Sequence, residues 1–238
     1  MSRPFAELLA TPGVVEHVEL RGRFGFMAFH GGGLEEMTDV IAADAAQRCG
    51  ASYYAVLQPS ALNWHIPSHR VSITESDALA EFVEHVDVVI TVHGFGRRGL
   101  FTSLLLGGRN RALAEHIGQE LRGVLPAYDI VTDIDRIPTD LRGLHASNPV
   151  NLPIGQGVQI ELPPRVRGSS ALWADWEGPG LTPHTEALVS ALAEAAASWP
   201  DSMSPNCVSP NCVSPDDAAA HDGHGASRSI TQPASESV

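Results

Sequence analysis

Gly25–Glu36 reads GFMAFHGGGLEE. Phe26, Met27, Ala28 and Phe29 form an apolar run that predicts a strand, and the run delivers His30 to a turn of three glycines. Glu35 follows just past the turn, where the pattern predicts the start of a helix. Glycine alone takes positive φ freely and lets other groups approach the backbone. A strand ending in a His, a turn without side chains and a carboxylate beyond it aim two ligands at one point. His30 and Glu35 are therefore candidate ligands of a catalytic metal, and zinc suits a His and a carboxylate. The plain alternative is a strand-to-helix turn with a surface Glu.

Outward from this stretch, strands and helices alternate. Val14–Leu20 and Gly25–His30 are predicted strands, Glu35–Cys49 a helix stopped by Gly50, and Ser52–Leu57 a strand. Pro59–Arg70 is a loop carrying Trp64, His65 and His69. Ser72 and Glu75 stand at capping-box spacing ahead of a helix over Glu75–Val86. Asp87–Val92 is an apolar run suited to a strand buried on both faces, and it ends at His93. Phe101–Leu106 predicts a strand, Arg109–Leu125 a helix and Tyr128–Val131 a short strand, followed by a loop from Asp133 to Gln156. Gly157–Leu162 (GVQIEL) alternates, with Val158, Ile160 and Leu162 to one side and Gln159 and Glu161 to the other. Thr182–Trp199 is a final helix. The order implies an α/β fold of three layers: a mixed, mostly parallel sheet with helices on both faces. Such sheets bind ligands beyond the carboxyl ends of their strands, where His30 and His93 both fall.

The chain has 238 residues and a formal charge of −13, which disfavours nucleic acid as a partner. All 15 basic residues are Arg, so any anion site must use Arg, His or backbone N–H groups. Cys49, Cys207 and Cys212 form no disulfide framework. Residues 1–20 lack a signal-peptide pattern and no apolar run reaches membrane-spanning length, so a cytoplasmic protein without membrane association is expected. Nothing in the sequence fixes an oligomeric state. Residues 1–199 are expected to form the α/β domain. Residues 200–238 are expected to be a disordered tail, rich in Ser, Pro, Asn, Asp and Ala, with SPNCV at Ser204–Val208 and again at Ser209–Val213. Cys207, Cys212, His221 and His224 can be drawn as a zinc site, but no core or turn framework surrounds them.

A catalytic zinc commonly has three protein ligands and an open position. His93 and His65 are the candidates for the third; His93, at a strand end, is the better placed, and His65 is expected to line the site. Glu161, in mid-strand opposite three apolar residues, is the candidate general base. Arg97 or Arg98 could hold an anionic substrate, because guanidinium groups pair with carboxylates. His69, His85, His116, His145 and His184 are read as helix-surface or loop residues without a role. GFGRRG (Gly94–Gly99) matches a dinucleotide pattern but is followed by no helix of sufficient length. HGGG also occurs as an oxyanion-hole motif in serine esterases, but the chain has no G-x-S-x-G.

The ordered set HGGGLE (His30–Glu35), HG (His93–Gly94), GG (Gly107–Gly108), N-x-x-N (Asn148–Asn151) and GVQIEL (Gly157–Leu162) resembles the poly-γ-glutamate hydrolase family over about Phe26–Gly168. The resemblance implies a carboxypeptidase-like α/β fold and zinc-dependent hydrolysis of amide bonds, in that family those of the γ-linked glutamate polymer. The family's zinc ligands fall on His30, Glu35 and His93 and its catalytic Glu on Glu161. Asn148 and Asn151 join Arg97, Arg98 and His65 as substrate-binding candidates. The family often has an Arg after the second Asn, where this chain has Leu152, and an acid in the helix after the glycines, where it has Val40 beside Asp39. The expected function is a zinc-dependent amidohydrolase acting on a carboxylate-bearing substrate, γ-glutamyl linkages included. The alternatives are another metal-dependent amidase or deacylase, such as a peptidoglycan amidase, or a non-catalytic binding protein on the same fold.

Overall fold

The predicted strand over the apolar run is β2 (Phe24–Gly32), and it lies inside a seven-stranded sheet. The structure, a computed structural model, describes residues 4–200; the rest of the expected tail, with its SPNCV repeat, Cys207, Cys212, His221 and His224, lies outside the described residues. The other elements are α1 (Pro4–Leu9), β1 (Val15–Glu19), α2 (Thr38–Cys49), β3 (Ser52–Gln58), α3 (Asp77–His85), β4 (Val88–Gly94), β5 (Ser103–Leu106), α4 (Arg111–Val124), β6 (Asp129–Val131), β7 (Gly157–Leu162), α5 (Pro164–Arg167) and α6 (Pro183–Ser198). Strand order is β1-β3-β2-β4-β7-β5-β6. β1 runs antiparallel to β3 and β5 antiparallel to β7; the remaining pairs are parallel, so the sheet is mixed and mostly parallel as expected. No helix among the described residues is long and apolar enough to cross a membrane.

Side-chain alternation divides the core. Phe26, Ala28, Ile90, Val92, Val158 and Ile160 pack on one face with Ile41 and Ala45 of α2, Leu113 and Ile117 of α4, and Leu188 and Leu192 of α6. Met27, Phe29, Tyr54 and Val89 pack on the other with Phe5 and Leu8 of α1 and Leu79 and Phe82 of α3. Each such side chain contributes roughly 1.5–3 kcal/mol when fully buried, so a slip that exchanged the faces would be prohibitive. β2 has β3 on one side and β4 on the other, and the chain's winding therefore reverses at β2. That reversal opens a crevice at the carboxyl ends of β2 and β4, where His30 and His93 lie.

Two helix starts differ from the sequence expectation. α2 begins at Thr38, behind Met37 with φ 73°, so Glu35 lies in the turn and not in the helix. The glycines explain the turn. A Cβ on Gly32 would lie 2.4 Å from the Gln58 carbonyl oxygen, and one on Gly33 would lie 2.3 Å from Ser60 Cα. Gly32 N–H donates to Asp39 Oδ1 (3.0 Å) and Gly33 N–H to the Gln58 carbonyl (2.7 Å), which closes the turn against β3. α3 is capped by Ser76, whose hydroxyl accepts from Leu79 N–H, and not by a Ser72–Glu75 box. Glu75 instead accepts from the N–H groups of Phe5 and Ala6, capping α1, a helix the sequence pattern did not announce.

The tightest approach around β7 is at Gly157, where a Cβ would lie 2.1 Å from the Val89 carbonyl oxygen and 2.8 Å from that of Val150. Gly157→Ala is expected to cost about 3 kcal/mol or more, because backbone on both sides must move. Gly96→Ala, where a Cβ meets nothing within 4 Å, is expected to stay within about 0.5 kcal/mol. Urea midpoints measure both, and equal midpoints would refute the close approach of β7 to β4.

Candidate metal centre

In a strict alternation Phe29 and His30 would point to opposite faces of the sheet. The pairing of β2 with β3 shifts register between Ala28 and Gly31, which bends the strand and re-aims the side chain. Both rings then approach His93, with centroid separations of 5.0 Å for Phe29 and 4.9 Å for His30. His93 is paired with Glu161 across β4 and β7. Glu35 returns from the glycine turn to the same point. Its Oε1 lies 2.8 Å from His30 Nδ1, and its Oε2 lies 3.3 Å from His93 Nδ1 and accepts the Gly94 N–H at 2.8 Å.

The proton positions follow from the partners. His30 Nε2 lies 2.8 Å from the Ile66 carbonyl, which only accepts, so Nε2 carries the proton and the Nδ1 lone pair faces Glu35. A lone pair and a carboxylate oxygen at 2.8 Å repel unless a proton or a metal cation sits with them. One donor atom from each of His30, Glu35 and His93 lies within 4.8 Å of the others. Two imidazoles and a carboxylate on a buried floor, one ring already fixed by a backbone carbonyl, fit the donor set of a divalent zinc.

Charge at this floor is strongly coupled. Burial pushes the Glu35 carboxyl up, but His30 and then His93 outweigh it and hold it far below the usual carboxylate range. Burial pushes His93 down, yet Glu35 and, more weakly, Glu161 leave it raised. Glu161 is raised: burial favours its neutral form, and Glu35 adds to this against the opposing pull of His93 and the Gln159 hydrogen bond. Its orientation is set by a relay, in which Asn148 Nδ2 donates to Gln159 Oε1 and Gln159 Nε2 donates to Glu161 Oε1, both at 2.8 Å. His30, Glu35, His93 and Glu161 all line one cavity of about 570 Å³.

The family model for poly-gamma-glutamate hydrolase matches residues 5–197. The chain belongs to that family. It is a hydrolase, and the ordered motifs noted in the sequence, His30 to Leu162, lie within the matched residues. Among solved structures, a bacteriophage poly-gamma-glutamate hydrolase is 19% identical, covers 81% of this chain and 93% of its own, and has a TM-score of 0.67. YNDL in a zinc-free apo form is 17% identical, covers 76% and 88%, and has a TM-score of 0.63. At these identities the likeness concerns the fold. A search of curated proteins finds no match.

The remaining substrate candidates of this family member divide. His65 lines the cavity with its ring 4.6 Å from that of His30, and burial, helped by His30, lowers its pKa. Asn148 lines the cavity too, though its amide is engaged in the relay. Asn151 does not line it: its Oδ1 accepts from Arg109 N–H and its Nδ2 donates to the carbonyls of Gly143 and His145, so it ties the loop before β7 together. Arg97 is paired with Asp140 at the rim, and Arg98 is exposed and outside the lining. Leu152 packs into the core on the α3 side and brings no charge to the cavity. Arg167 was not singled out from the sequence. It is buried; its Nε donates to the Leu162 carbonyl at 3.1 Å and its Nη1 to that of Glu36. A Cβ on Gly94 would lie 2.8 Å from its Cζ, so the glycine after His93 makes room for the guanidinium. Arg167 thus braces the turn carrying Glu35 against the ends of β4 and β7.

Zinc titrated into the metal-free protein is expected to fill about one site per chain. His93→Ala is expected to weaken that site by at least about tenfold, with the fold checked by circular dichroism. Zinc affinity unchanged in His93→Ala would remove His93 from the donor set.

Proposed function

We propose that this hydrolase is a zinc-dependent amidohydrolase that cuts amide bonds in a carboxylate-bearing chain, with γ-linked glutamate as its substrate class. The observation that carries the reading is the convergence of His30, Glu35 and His93 on one point, with Glu161 oriented beside them in the same cavity. The substrate class is supported by membership of the family and by the fold shared with the phage enzyme. Zinc, when bound by His30, Glu35 and His93, would supply a Lewis acid at the scissile carbonyl.

The chain's own residues do the rest. Glu161 takes a proton from the attacking water and returns it to the amide nitrogen as the C–N bond breaks. Gln159 occupies Oε1, which leaves Oε2 as the oxygen that accepts the proton. The raised pKa of Glu161 suits both halves of the transfer, since it makes the carboxylate a stronger base toward water than a free one. Asn148 fixes Gln159 and so keeps Glu161 from turning away between the two steps. His65 borders the same floor as a neutral ring and shields the His30 side from solvent.

Glu161→Gln is nearly isosteric and its carbonyl can still accept from Gln159, so fold and zinc content are expected to survive. Turnover of a γ-glutamyl amide is expected to fall by about 10²–10⁴-fold, or roughly 3–5 kcal/mol of barrier. Turnover and bound zinc measured on one preparation decide the matter. A fully active, zinc-loaded Glu161→Gln protein would sink the mechanism, and loss of zinc would make Glu161 a ligand instead.

A further inference from the structure

The cavity has an imbalance of charge that the mechanism leaves unexplained. Glu35, Asp140 and Glu161 line it, and no Arg among the described residues does. Arg97, which reaches lining residue Asp140, is already paired with it. The side-chain donors on the lining are the histidines, the hydroxyls of Ser68 and Thr139, and the amides of Asn148 and Gln159, which are engaged in the relay. His65 is turned to the floor, against His30. Of the imidazoles away from the floor, that leaves His69 and His145.

These two come from separate walls. His69 lies in the short helical turn Ser68–Arg70 of the loop after β3, and His145 in the loop before β7. Their rings meet with centroids 4.9 Å apart at an interplanar angle of 40°, and both line the cavity. His145 is held firmly. Its carbonyl accepts from Asn148 N–H and from Asn151 Nδ2, both at 3.0 Å, and its ring Nδ1 accepts from Ser147 N–H at 3.1 Å. With Nδ1 accepting, the neutral ring carries its proton on Nε2, which remains free to donate. Arg70 N–H donates to the Pro67 carbonyl and Val71 N–H to that of Ser68, fixing the turn on which His69 stands. The His69 ring nitrogens have no hydrogen-bond partner among the described residues. Each ring thus has an N–H to offer, from separate loops, on the wall of a cavity whose carboxylates are Glu35, Asp140 and Glu161.

We propose that His69 and His145 form a carboxylate-binding subsite, which takes the free α-carboxylate of a γ-glutamyl unit beside the scissile amide. The inference rests on the reading of the cavity as an amidohydrolase site for carboxylate-bearing chains. The pair of imidazoles supplies N–H donors on a lining that, among the described residues, includes no Arg. Both residues are exposed, so the bound unit can continue outward as a polymer.

The test uses full-length, zinc-loaded Glu161→Gln protein, so that substrate stays intact, and calorimetric titration with a short γ-linked glutamate oligomer. Adding His69→Ala and His145→Ala is expected to weaken binding by about tenfold or more, since hydrogen bonds to a charged group are being lost. With an oligomer whose α-carboxylates are capped as amides, the same pair of changes is expected to alter affinity by under about twofold. His69→Gln with His145→Gln, which keeps neutral N–H donors, is expected to recover part of the loss, and melting curves guard against unfolding. Equal affinity with and without the two histidines, or an equal loss for the capped oligomer, overturns the subsite. Turnover of the oligomer by the wild-type chain with affinity independent of His69 and His145 overturns the subsite alone. Histidine-dependent binding with no wild-type turnover overturns the amide-hydrolysis reading alone, and no binding at all overturns both.

Discussion

A carboxylate held between two buried imidazoles is the constraint on which the centre of this molecule depends. An ionised carboxylate taken out of water costs several kcal/mol unless it is paired and hydrogen-bonded. Glu35 meets them on one oxygen, with His93 and the Gly94 N–H, while the other faces the His30 Nδ1 lone pair and is paired only when a proton or a cation sits between them. Those partners sit on different strands, so β2 and β4 must be neighbours and must end at the same level. The register shift in β2 must turn His30 to the face that His93 already occupies. The glycine turn must fold Glu35 back over both, which needs backbone contact with residues 58–60 that no Cβ would allow. Arg167 then secures the result from behind, reaching the Glu36 carbonyl through the space left by Gly94.

How much of this was legible in the sequence depends on whether the cause is local. The apolar run into His30, the buried run into His93 and the alternation of GVQIEL are local patterns, and each reappears as the expected strand. The placement of Glu161 and Gln159 on one face followed from a period of two, and the relay between them needs only that face. The partner of Gln159 is Asn148, from a loop, and nothing local ties the two. Likewise Glu75 resembled half of a capping box because Ser72 stands three residues before it. Ser76 is the nearer cap for the helix, and the Glu75 carboxylate is drawn instead to the start of α1, some seventy residues away in the chain. The pattern placed Glu35 in a helix because glycine turns have no signature for their exact length. The left-handed Met37 adds one more turn residue before α2 can begin.

Arg residues were the least legible class. Arg97 and Arg98 drew attention by their nearness to His93, yet one is paired at the rim and the other faces solvent. Arg167, in a stretch with no motif of its own, is the guanidinium that reaches the back of the site. Sequence distance from a ligand says little about a side chain this long. What decides is where the long side chain finds backbone carbonyls: Arg167 reaches that of Glu36 past the glycine turn and that of Leu162, which also accepts from Phe95 N–H.

The overall charge of −13 bears on how the proposed anionic substrate would reach this cavity. Long-range attraction is unavailable to a polyanion approaching a net-negative protein, and the far field opposes encounter. At physiological ionic strength the screening length is about 8 Å, so most of that repulsion fades and only groups near the cavity count. Near the cavity the formal charges are acidic, and one of them, Asp140, is neutralised by Arg97. Recognition must therefore come from short-range donors placed to meet a carboxylate directly, together with whatever cation the His30, Glu35 and His93 floor holds. Such donors act only at contact and discriminate by position, so on the proposed reading the cavity would select for where a carboxylate sits relative to the amide more than for how many the chain carries.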